Sequence, residues 1–359
     1  MISAYLYIFN VLVFFVSYFS KNTNLKIYFL VSSFSSMLLM LMLRDSSLGT
    51  DYVGYLRIYN YISTLKLEQL VEMRYELVFK YFIKFLSEMF SAEVGIFLLC
   101  VIFNILMLLS IYFMRRDINF IICCQFTLTS FFLYYDLQYN IIRQGLSLAL
   151  FLMASSFLFR GKIKISLLFF FLSWGFHQSA ILYIAILLIV FFLDKLRLVN
   201  KLLPTIFFVT IINVILSFFG VFEIFSRELL AVISSDSYYS AYTSDNFEYQ
   251  NGFRLDFIFL TLVPLVVSFY YRLRMQSRFV LLMAFNIICF NVYIFLNWIA
   301  YADRLLVFPW ILNAILISYV ITLDFTDKKI KLLVVIFLIA SGVYSNFTNP
   351  NVILNLNII

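Results

Sequence analysis

The side chains best equipped for chemistry crowd into Leu43 to Asn60, LRDSSLGTDYVGYLRIYN. There Arg44, Asp45, Asp51 and Arg57 stand with Tyr52, Tyr55 and Tyr59 between long apolar runs. Gly49 permits a tight turn, and Thr50 or Asp51 can cap a short helix that places the three tyrosines on one face, an aromatic and carboxylate surface. The alternative is a surface loop with its tyrosines at the level of lipid headgroups. His177, the chain's one histidine, lies inside a long apolar stretch. An ionisable group at that depth is a functional candidate, the alternative being a core histidine bonded to a neighbouring helix. Arg143 in NIIRQG, Arg254 in NGFRLD and Arg304 in YADRLL each open an apolar run. Cations are disfavoured at helix N-termini, so arginines repeated there ask for an anion. Phosphate suits both the free N–H groups of a helix start and the guanidinium fork. The alternative is three independent arginines reaching lipid headgroups, with Asp256 and Asp303 as local partners.

The elements that must position these groups follow from composition. Hydrophobic residues make up 64% of the chain and charged residues only 13%, which excludes a soluble domain. About 20 apolar residues cross the roughly 30 Å hydrocarbon core as a helix. Apolar runs near 2–19, 26–43, 94–114, 118–135, 141–159, 163–176, 178–193, 202–219, 256–271, 279–297, 304–322 and 330–346 predict an all-α polytopic membrane protein with about 12 spans, organised as one membrane domain over residues 1–359. Met1 is followed by apolar residues with no basic n-region, so the first helix is expected to be retained. Cys100, Cys123, Cys124 and Cys289 lie in apolar runs without metal-ligand spacing and read as packing residues, so no metal and no cofactor is expected.

The connections alternate in charge. One set, from Lys21 and Lys26 through Arg115 and Arg116 to Lys328, Lys329 and Lys331, holds 16 basic residues against Asp117, Asp194, Asp324 and Asp327. The other set is net acidic. By the positive-inside rule the basic set is cytoplasmic, both termini lie outside, and the external segments are 44–93 and 220–255. The net charge of +7 thus reflects topology and not nucleic-acid binding. Leu77 to Met89 reads as an amphipathic surface helix.

His177 sits in SLLFFFLSWGFHQSAILYIAILLIVFFL, which one long helix or two short ones could fill. A single crossing would put the basic run after Asp194 outside, whereas a break at Trp174 to Ser179 keeps both flanking basic runs inside. The break is therefore predicted. Its first arm, 14 residues long, reaches only roughly 21 Å at about 1.5 Å per residue, so His177 would line a polar recess below the outer surface.

Four stretches together resemble the EpsG family of exopolysaccharide polymerases, which is related to Wzy-type O-antigen polymerases. They are RDSSLGTDYVGY at 44–55, RYELVFKYF at 74–82, IRQGLSLALFL at 142–152 and FHQSAIL at 176–182. Each is weak alone; their order and separations in a many-span protein carry the resemblance. Beyond residue 200 it is topological, with ADRLLVF at 302–308 similar to the family's late arginine segment.

The resemblance implies a GT-C-type glycosyltransferase on the outer face of the bacterial cytoplasmic membrane, joining undecaprenyl diphosphate-linked oligosaccharide repeats. Such a lipid-linked oligosaccharide would be both donor and acceptor, with membrane lipid around it and a chain-length regulator protein as a further partner. The reaction needs groups that stabilise a leaving diphosphate and a base for the acceptor hydroxyl. Arg44, Arg143, Arg254 and Arg304 would hold the diphosphate, and His177, Asp51 or Glu76 would take the proton. Tyr52 and Tyr55 would stack on sugar rings, and arginines would stand where a divalent metal might otherwise serve. The rival reading is a flippase for the same lipid-linked sugars. Against it, the polar residues cluster near the outer helix ends, and no internal repeat is evident.

Overall fold

The computed structural model describes residues 2–42, 51–225, 228, 252–299, 301–324 and 326–348. Within them every predicted apolar run is helical, and no strand occurs among the described residues. In chain order the helices are α1 (Ile2–Phe19), α2 (Thr23–Met42), α3 (Tyr52–Thr64), α4 (Leu77–Ser87), α5 (Ala92–Met114), α6 (Ile118–Thr129), α7 (Phe132–Tyr139) and α8 (Ile142–Leu158). They continue with α9 (Ile163–Phe176), α10 (Ala180–Lys195), α11 (Val199–Phe218), α12 (Leu255–Tyr270), α13 (Ser277–Leu296), α14 (Val307–Ile321) and α15 (Lys328–Thr348). Ala92–Met114, Val199–Phe218, Ser277–Leu296 and Ala302–Ile321 are long and apolar enough to cross a membrane, and shorter apolar helices accompany them. Exposed Ile163, Leu167 and Leu168 give the first half of α9 a greasy outer face suited to hydrocarbon.

Two predicted boundaries change. The run 118–135 is not one helix, because α6 stops at Thr129 and α7 begins at Phe132. Thr129 Oγ1 donates to the Gln125 carbonyl at 3.0 Å, Ser130 Oγ donates to the Phe126 carbonyl at 2.8 Å, and Tyr7 hydrogen-bonds Ser130 Oγ at 2.8 Å. Tyr135 Oη donates to the Thr129 carbonyl at 3.0 Å, so a side chain satisfies part of the backbone that the break exposes. The segment 304–322 opens with a 3₁₀ turn, Ala302–Leu306, before α14 begins.

The chain forms two compact units, residues 1–184 with 321–359, and residues 185–320. In the first, α8 is buried continuously from Gln144 to Ser156, packed between α5 and α9. Small residues permit the approach. Ser147 and Ser173 bind each other's carbonyls, Ser166 Oγ donates to the Ala154 carbonyl at 2.9 Å, and Ser156 Oγ donates to the Ser110 carbonyl at 3.0 Å. A side chain at Gly145 would collide with the Leu137 carbonyl, so glycine there lets α7 pack closely on α8. In the second unit amides bind the helices: Asn291 Nδ2 donates to Thr210 Oγ1 at 2.7 Å and Asn286 Nδ2 to Asn313 Oδ1 at 2.9 Å.

Candidate active site at the start of α8

Arg143 occupies the first turn of α8, as expected. The anion that offsets it belongs to the chain itself: Nη1 donates to Glu76 Oε2 at 2.6 Å. The guanidinium carbon lies 5.2 Å from the Tyr75 ring centroid and 5.4 Å from that of Phe79, so the cation rests on two neighbouring rings. The Arg143 cation also acts on the buried Tyr55 phenol. Its Nε is buried and has no protein partner. The pair is only partly wet, with side-chain exposures of 26% for Arg143 and 10% for Glu76, so its charges interact more strongly than on an open surface.

α3 and α4 hold this box in place. Glu76 is the extended residue preceding α4, and its carbonyl accepts the Lys80 N–H at 3.1 Å. Phe79 and Ile83 anchor α4 at 1% exposure each, so the predicted amphipathic helix is packed inward along one face. Lys80, also buried, spends its ammonium on the Val71 and Met73 carbonyls at 3.3 Å each, tying down the loop before α4. The helix lies so close to the end of α9 that a side chain at Gly175 would strike Val78.

Asp51 stands at the N-cap of α3 without a side-chain cap bond, and its carbonyl accepts the Tyr55 N–H at 2.9 Å. Tyr55 and Tyr59 turn inward, while Tyr52 is half-buried. With 7% of its surface exposed, Tyr55 is occupied with Arg143. Burial pushes its phenol above the ordinary value of 10.0 and the neighbouring Asp51 charge acts in the same direction, while the Arg143 cation pulls it back. The phenol therefore stays protonated at neutral pH.

The predicted break is present: α9 ends at Phe176, His177 is extended, and α10 starts at Ala180. The Ser179 N–H donates to His177 Nδ1 at 3.3 Å, and Ser179 Oγ lies 2.8 Å from the same nitrogen. A backbone N–H can only donate, so Nδ1 keeps its lone pair and the neutral ring carries its proton on Nε2. The next residue joins this turn to the ion pair, because the Gln178 N–H donates to Glu76 Oε1 at 3.4 Å. Beside Glu76 opens a cleft of about 380 Å³ walled by Tyr75, Leu77, Phe171, Trp174 and Gln178.

Four predicted site residues, Arg143, Glu76, Tyr55 and Asp51, thus come together, and the His177 turn reaches them through Gln178. Arg254 and Arg304 belong to the second unit. Arg254 caps α12 and is held by Asp256 through two bonds of 3.0 and 2.6 Å, the local pairing weighed as its alternative. Arg304 is exposed in the 3₁₀ turn, 4.8 Å from the ring of Tyr301, whose own φ of 62° is left-handed. Arg44 and most of segment 220–255 lie outside the described residues. Tyr75, Phe79, Gln178 and Trp174 were not singled out from sequence. Tyr75 and Phe79, spaced i and i+4 around Glu76, were the available signal.

The model of the EpsG family matches residues 26–357, nearly the whole chain. No curated protein and no solved structure matches it.

Proposed function

Because the chain belongs to the EpsG family, we propose that it is a membrane polysaccharide polymerase, a GT-C-type glycosyltransferase that joins undecaprenyl diphosphate-linked repeats on the outer face of the bacterial cytoplasmic membrane. In this reading about 12 spans form one membrane domain, both termini lie outside, and segments 44–93 and 220–255 are external. The observation that carries it is Arg143, a guanidinium at a helix N-terminus, resting on two neighbouring rings and already gripping a carboxylate. A guanidinium that holds one oxyanion through Nη1 and keeps its Nε unpartnered can hold a diphosphate, which offers more charge and more oxygens.

The reaction also needs a group that takes the acceptor's proton. Of His177, Asp51 and Glu76, the geometry favours Glu76. Its carboxylate borders the cleft, whereas His177 Nδ1 already accepts from Ser179, so His177 is better placed to donate a hydrogen bond through Nε2. Tyr55 then acts by holding Arg143, and Tyr52 remains a candidate sugar contact. The test is the fate of lipid-linked repeats in cells carrying stably inserted Arg143→Ala. A polymerase defect leaves repeats accumulating outside unpolymerised. Loss of external repeats would instead make the protein a flippase, and full polymer would remove Arg143 from the site.

A further inference from the structure

The ion pair and the cleft share one residue. Glu76 gives Oε2 to Arg143, accepts the Gln178 N–H on Oε1, and forms part of the cleft wall. The cleft joins rings, Tyr75 and the 44% exposed Trp174, to a carboxylate and an amide, Glu76 and Gln178. Flat apolar faces beside hydrogen-bonding oxygens and nitrogens suit a sugar ring, whose C–H face packs on an aromatic while its hydroxyls find polar partners. Tyr52 and Tyr55, the sugar contacts expected from sequence, do not line it.

Resting on the polymerase reading, we propose that Glu76 is a carboxylate exchanged between two subsites. The donor's diphosphate displaces it from Arg143, and the freed carboxylate turns to a hydroxyl of the acceptor sugar seated in the Trp174 cleft. A diphosphate brings more negative charge than one carboxylate. Arg143 therefore trades partners without being left uncompensated. Glu76 is thus freed from its cation at the moment a base is needed.

The chemical step balances. The acceptor oxygen forms a bond to the donor's anomeric carbon and its proton passes to Glu76. The bond from that carbon to the diphosphate oxygen breaks, and its electron pair leaves with the lipid diphosphate held by Arg143. Because Glu76 is released only after the donor binds, water in the cleft is not activated beforehand.

The experiment measures binding of farnesyl diphosphate, a soluble prenyl diphosphate, to the purified full chain in detergent, alongside polymer formation in cells. Glu76→Gln removes the competing charge, so it should bind the probe about tenfold tighter than wild type, the scale of one lost competing ion pair, while polymer is lost. Trp174→Ala should bind the probe like wild type and still leave repeats unpolymerised. If Glu76→Gln does not fold, Glu76→Asp carries the same test, since its shorter arm weakens the pair. Equal or weaker binding by the Glu76 variants overturns the exchange. Weakened probe binding in Trp174→Ala makes the cleft a prenyl site and overturns the sugar assignment. If wild type and Arg143→Ala bind the probe alike, the diphosphate reading itself fails, and the exchange fails with it.

Discussion

Ser147 and Ser173 each donate their hydroxyl to the other's backbone carbonyl, at 2.8 and 2.7 Å. Ser147 lies four residues after Arg143 and Ser173 four residues before His177. One turn below the site, this clasp therefore sets the separation of the helix that carries the guanidinium from the helix that ends at the histidine. Hydrogen bonds between helices in membranes contribute about 0.6 to 2 kcal/mol each. Ser147→Ala with Ser173→Ala should lower the thermal midpoint measurably and reduce polymer yield more than Ser166→Ala does. An unchanged midpoint and yield in the double variant would mean the clasp has no positioning role.

Arg143→Lys keeps the charge and loses the planar guanidinium that rests on the neighbouring Tyr75 and Phe79 rings and donates to Glu76. It should impair polymer formation as severely as Arg143→Ala, because lysine cannot make the paired contacts of a guanidinium. Polymer from the lysine variant at more than about a tenth of the wild-type rate would show that charge alone suffices.

His177 is a sharper case because two roles give different outcomes. With Nδ1 held as an acceptor by Ser179, the ring offers an Nε2–H donor. A glutamine amide also combines an acceptor with an N–H donor. His177→Gln should then retain polymerisation within about tenfold of wild type, while His177→Ala falls further. General-base catalysis typically contributes about 10²- to 10⁴-fold, so equal losses of that size in both variants would return the base to His177.

Much of the helix layout was legible from hydropathy, since α1 and α9 coincide with the runs 2–19 and 163–176. Loop charge alone located the break at His177. The break after Thr129 was not legible because its stretch carries no charge, glycine or proline, and the stabilising bonds include one from Tyr7, 123 residues away. At the site, helix-start logic identified Arg143 and its demand for an anion. It could not identify Glu76 as that anion, because the two are 67 residues apart and tertiary packing brings them together, α4 lying against α9 and α9 against α8. The inward turn of Tyr55 has the same origin: a helix face is visible in spacing, but what it packs against is not.

That packing can be tested at Gly175, where any side chain would meet Val78. Gly175→Ala should displace α4, and Glu76 with it, costing about 1–3 kcal/mol of stability and most of the polymer yield. Adding Val78→Ala makes room and should recover both. Failure of the double variant to improve on the single one would mean that contact with Val78 is not what requires glycine.

Topology can be read with impermeant maleimides, since Cys100, Cys123, Cys124 and Cys289 are all buried and give little background. Exposed Ser63 and Lys164 make good reporters. Ser63→Cys should label in intact cells, and Lys164→Cys only once the membrane is opened. The reverse pattern would place the Arg143 site on the cytoplasmic side and end the outward-facing reading.

The burial of α8 bears on how the protein is made. From Gln144 to Ser156 this helix touches protein and not its surroundings, and it carries Arg143, Gln144, Ser147, Ser155 and Ser156. A segment so polar gains less than its neighbours from partitioning alone into lipid, where charged side chains are costly. Its partner α9 is synthesised immediately afterwards, so α8 is expected to enter the bilayer together with it. On that expectation the Arg143 end of α8 is assembled as a helix pair, and a chain truncated before Ile163 should fail to integrate α8 at all.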